Sequence, residues 1–151
     1  MSEFKTFVNF PTSIAEEWSR AENTPLSDLP SLSPERKAVA KRWGISEEEE
    51  RRNVLRQDIA VKRLEAEGEK LGEAVVGILK ALGKSYHLRA VILDGRHEGG
   101  TLRLETPSGI RDLNISTPRR EIVHDGDASI QGELKREILQ SLGRQDLLVA
   151  R

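Results

Sequence analysis

Histidine is rare in this 151-residue chain: His87, His97 and His124 are the only three. Two of them stand in acidic, glycine-containing clusters, Asp94 to Glu98 (DGRHE) and His124 to Asp127 (HDGD). Imidazole with carboxylate suits zinc or manganese, so His97, His124, Asp94 and Asp125 are the residues to consider for a divalent cation. Asp-Gly and Gly-Gly are also what ordinary surface turns use, and no metal or other cofactor is expected. A nuclease-like pairing of Asp94 with Glu105 fails because Thr106-Pro107 occupy the place where a lysine should stabilise the transition state. There is no cysteine, which removes thiol catalysis and thiolate metal sites. A phosphate-cradling glycine loop, a nucleophile elbow and an HExxH pair are likewise missing from the sequence. The expectation is a protein that is not an enzyme.

The second chemistry on offer is electrostatic. Lys and Arg number 24 against 25 Asp and Glu, a net charge of −1, so any charged partner must be met by a local patch. The stretch RKAVAKRWGISEEEERRNVL reads as helix, glycine turn, helix, and resembles a helix-turn-helix over about twenty residues. Arg36, Lys37, Lys41, Arg42, Arg51 and Arg52 are its cations. The turn that would enter a major groove is Glu47-Glu48-Glu49-Glu50, which phosphates repel. A small nucleic-acid-associated regulator is therefore the alternative reading, and nucleic acid is not the expected partner.

The third is aromatic anchoring. All three phenylalanines, Phe4, Phe7 and Phe10, lie in the first ten residues, and with Trp18 four of the six aromatics precede residue 19. Aromatic side chains bury roughly 150–250 Å² each and dominate anchoring at interfaces. Residues 1–18 are read as an aromatic docking arm. The run SRAENTPLSDLPSLSP, residues 19–34, is proline- and serine-rich and is read as an extended linker.

These groups must be positioned by elements. Ser33-Pro34 signals a helix start, with Gly44 as its stop, and Ser46 with Glu49 forms a capping box for a second, long helix. No proline occurs from Ile45 to Ser85, and Val54, Val61, Leu64, Leu71, Val75, Ile78 and Leu82 recur at steps typical of a heptad seam. Such a helix would reach about 55 Å, beyond the roughly 30 Å of a compact domain. Gly68 and Gly72 predict a kink or split; the alternative is that they admit a second backbone. The excess length leaves Val54, Leu55, Ile59, Val61 and Leu64 as a self-association face.

From Tyr86 the period falls to two. YHLRAVILD, TLRLET and IRDLNI predict a three-stranded antiparallel meander, turned at Pro107-Ser108-Gly109, with REIVH as an optional fourth strand. A last helix, capped by Asp127 or Ser129, places Ile130, Leu134, Ile138 and Leu142 on one face before Gly143, and 144–151 is a tail.

The sequence thus predicts an α+β protein: arm and linker, a helical hairpin with one long helix, a small antiparallel sheet of three to four strands, and a C-terminal helix, with 35–143 as the single domain. The expected function is a non-catalytic assembly or adaptor protein that binds a protein partner or its own copies through the arm and the long helix. Glu3 and Lys5 interrupt any secretory leader and no apolar run is long enough to cross a membrane. A cytoplasmic protein without membrane partners is expected.

Overall fold

A computed structural model describes residues 4–119, 121 and 128–142. The fold is α+β. Its described elements are β1 (Lys5–Asn9), α1 (Ala15–Glu22), a 3₁₀ turn (Leu26–Asp28), α2 (Pro34–Trp43), α3 (Glu47–Leu82), β2 (His87–Asp94), β3 (Gly100–Thr106), β4 (Gly109–Ile115) and α4 (Ala128–Leu142). They fall into two compact units, residues 11–63 and residues 1–10 with 64–151, and α3 contributes to both.

The sheet unit is a four-stranded sheet in the order β1-β2-β3-β4. β2, β3 and β4 form the expected antiparallel meander. The fourth strand differs in origin: β1 adds to β2 in parallel, with Lys5 opposite Ala90 and Asn9 opposite Asp94, so the sheet is mixed. REIVH lies almost wholly outside the described residues. Phe4, Leu88, Val91, Leu93, Leu102, Leu104 and Ile115 bury one face of the sheet against Leu64, Leu71, Val75 and Leu79 of α3 and Leu134, Ile138 and Leu142 of α4. Ser129 lies inside α4 rather than at its cap, while Asp127, Gly143 and the tail are outside the described residues.

The expected split of α3 does not occur; the helix is continuous over 36 residues. Gly68 and Gly72 instead admit β1 and the Phe4 ring. A Cβ on Gly72 would stand 2.1 Å from the Phe4 ring, and one on Gly68 would stand 2.4 Å from the Thr6 methyl. The hydrogen atom in place of a side chain is what lets a strand and its ring lie against the helix.

The helical unit shows why residues 19–34 are not an extended linker. Part of the stretch continues α1 and part forms the 3₁₀ turn, and Leu29 is buried. Its carbonyls are gathered by two adjacent arginines of α3. Arg51 donates to the oxygens of Leu29 at 2.8 Å and Pro30 at 2.9 Å, and Arg52 to those of Ala21 at 2.8 Å and Thr24 at 2.9 Å. A segment poor in apolar residues is thereby held through its backbone, each charged donor contributing roughly 1.5–3 kcal/mol. Local signals behave as expected: Ser33 and Ser46 cap α2 and α3 by accepting from Arg36 N at 3.2 Å and Glu49 N at 3.1 Å, and Gly44 ends α2 with φ of 71°.

Candidate partner-binding surface

The strand alternation of β1 decides where the aromatic residues go. Phe4 points into the core at 6% exposure, with Thr6 and Val8 on the same side, while Lys5, Phe7 and Asn9 take the opposite face. Phe7 is 48% exposed and sits beside Ile92 of β2, followed across the sheet by Thr101 and Asn114. The expected free arm is therefore corrected for its first part: Phe4 is a core residue, anchored in cis, and the strand that follows it is part of the sheet. The remaining rings stay outside. Phe10 is 60% exposed, and its backbone adopts φ of 48°, the left-handed region that a bulky side chain rarely enters.

Phe10 is held by its partner across the loop. The Arg96 guanidinium lies 3.9 Å above its ring. Asp94 fixes that guanidinium from the edge, accepting from Arg96 Nε at 3.1 Å, Nη2 at 2.8 Å and the backbone N at 2.9 Å. Those side-chain and backbone hydrogen bonds hold the Asp94 carboxyl down at about 2, and the same pairing raises the Arg96 pKa. The loop is pinned from beneath by the buried Arg119, which donates to His97 O and to Gly99 O at 3.0 Å and pairs with buried Glu67 at 3.2 Å. Gly99 is required there, because a Cβ would lie 1.7 Å from Ile115 O. A shallow cleft of about 750 Å³ opens beside this corner, lined by Asn9, Ile92, His97 and Asn114 among others.

Of the four candidate metal ligands, only Asp94 and His97 lie within the described residues. His97 is exposed and Asp94 is committed to Arg96, while His124 and Asp125 lie outside the described residues. No group of three or more His, Asp or Glu among the described residues could hold a metal ion. Asp94 and Glu105 stand at opposite ends of the sheet, since Glu105 pairs with His87, at the start of β2; its carboxylate takes the Arg89 guanidinium.

The basic hairpin divides. Arg36, Lys37, Lys41 and Arg42 are exposed on α2, whereas Arg51 and Arg52 are partly buried and spent on carbonyls. Six cations on one duplex-facing surface are therefore not available. Trp18 is half-exposed on α1, under Arg56 at 3.8 Å. Of the expected self-association residues, Leu64 is fully buried in the sheet unit's core and is no part of a surface; Val54, Leu55, Ile59 and Val61 are half-buried.

The carbonyl clamp of Arg51 and Arg52 was not readable from the sequence. Its acceptors are backbone oxygens, which every residue carries, so no side-chain pattern marks them. Among the described residues no helix is long and apolar enough to cross a membrane. No protein-family model matches the chain, and neither a curated protein nor a solved structure matches it.

Proposed function

We propose that this chain is a non-catalytic assembly or adaptor protein that binds a protein partner, or further copies of itself, with Phe7 and Phe10 as its anchors. The observation that carries this reading is the exposure of both rings beside a core that closes without them. Large aromatics cost least when buried, and phenylalanine is among the residues enriched at protein interfaces relative to the rest of the surface, so two such rings left exposed within four residues of each other favour an anchoring role. Phe10 adds a second reason. A left-handed backbone at an exposed aromatic costs roughly 1–2 kcal/mol, and such strain concentrates at sites of function. The Asp94–Arg96 pair keeps the ring in one place, which lowers the ordering cost a partner must meet. Phe7 is presented from a folded edge strand and Phe10 from the bend that follows it, rather than from a loose tether.

The test combines stability with contact. A photo-crosslinking phenylalanine analogue at position 7 of the full chain should yield adducts with one defined polypeptide, either a partner or a second copy, identified by mass spectrometry. Replacing Phe10 with Ala should remove those adducts, each ring contributing about 2 kcal/mol or more to binding. The Phe7→Ala/Phe10→Ala protein should melt within a few degrees of the parent. Adducts that are absent or scattered over many proteins would sink the reading, as would a large loss of stability in the double variant.

A further inference from the structure

The helical unit holds a groove of about 700 Å³ between α1 and the N-terminal part of α3. Ile14, Leu55 and Ile59 give it an apolar lining. Along it stand Glu16 and Arg20 on α1 and Asp58 and Lys62 on α3. On each helix the acid precedes the base by four residues, the spacing at which the two ordinarily pair on the helix surface. Here they do not: none of the four has an oppositely charged partner within 4.0 Å among the described residues. Their neighbours behave otherwise, since Arg52 pairs with Glu48, Arg56 with Glu22 and Arg63 with Glu17.

We propose that this groove is a self-association face, on which the same face of a second copy of the chain docks about a two-fold axis. Two-fold docking sets residue i against j and j against i. A face with two free acids and two free bases can then satisfy all four charges with its own image. A partner of one sign, such as nucleic acid or an acidic peptide, would meet two like charges in the same groove. The half-buried Leu55 and Ile59 become dry in the pair, supplying the apolar burial that charge pairs alone do not. The inference extends the assembly reading to a second surface and uses neither Phe7 nor Phe10.

Sedimentation equilibrium on the full chain tests it with two variants of opposite design. One makes the face wholly basic, Glu16→Arg with Asp58→Lys, and the other wholly acidic, Arg20→Glu with Lys62→Glu. The parent should dimerise, each variant alone should do so at least about tenfold more weakly, and an equimolar mixture should recover a one-to-one heterodimer within about threefold of the parent Kd. Recovery in the mixture also shows that both variants are folded. A parent that is monomeric at about 500 µM, a variant that self-associates as the parent does, or a mixture that stays monomeric would each overturn the proposal. The Phe7→Ala/Phe10→Ala protein should dimerise unchanged through this groove, so the two surfaces fail or stand separately.

Discussion

Gly72 and Gly77 stand five residues apart on α3, and the same substitution should act on them in opposite directions. In a helix interior alanine is better than glycine by about 1 kcal/mol. At Gly77 a Cβ meets nothing within 4 Å, so Gly77→Ala should stabilise by up to about that amount. At Gly72 the new methyl group would press on the Phe4 ring, and Gly72→Ala should destabilise by roughly 1–3 kcal/mol as the ring is displaced. Chemical denaturation of both variants checks the pair; a gain at Gly72 would mean that the ring moves aside without cost. Thr6 offers a second contrast. Its hydroxyl is buried without a hydrogen-bond partner. Thr6→Val keeps the branched shape a strand favours and removes the unpaired group, so a stabilisation of about 1 kcal/mol is expected in the same measurement.

At the scale of elements, one carboxylate ties α4 to the end of β4. Glu137 accepts from Ser116 N at 2.9 Å and Oγ at 2.6 Å and from Thr117 N at 3.2 Å and Oγ1 at 2.9 Å. Burial alone would raise its pKa, but these four donors outweigh it and leave the carboxyl below its ordinary value. A depressed folded pKa means that the contribution is full above the ordinary carboxylate range and is lost as pH falls through the folded value. Glu137→Gln should therefore cost about 1–2 kcal/mol at neutral pH, and the gap between variant and parent melting temperatures should narrow as pH falls below about 4. A pH-independent gap would point to packing instead. Contacts of this kind mark the limit of what was legible beforehand. Ser33, Ser46, Gly44 and Pro107-Ser108-Gly109 act on neighbours a few residues away, so caps, hairpin turn and meander could be read directly. β1 could not: KTFVN is only five residues long, and its partner strand is some eighty positions further on. Of the candidate site, Phe7 and Phe10 were legible as aromatics out of place, but the roles of Arg96 and Asp94 depend on a loop that brings the Arg96 guanidinium over the Phe10 ring.

For the whole molecule, the consequence is that residues 4–10 belong to the sheet unit itself. They supply an edge strand, and Phe4 supplies a ring that fills the space above Gly72. Deleting them should expose apolar surface on β2 and α3 and leave a cavity worth roughly 3–5 kcal/mol for the ring alone. That is a large share of the 5–15 kcal/mol that stabilises an ordinary domain. The loss should not be shared evenly. Residues 11–63 form their own compact unit, with the arginine clamp, the Glu17–Arg63 pair at 2.8 Å and the α2 caps all inside it. Hydrogen exchange on a protein beginning at Pro11 reads the two units separately. Amides of β2, β3 and residues 64–82 of α3 should exchange at least tenfold faster than in the full chain, about 1.4 kcal/mol of lost protection. Those of α1 and of residues 47–60 should change little. Equal loss throughout would mean that the two units unfold as one, and unchanged protection in β2 would return the phenylalanine segment to the status of a dispensable arm.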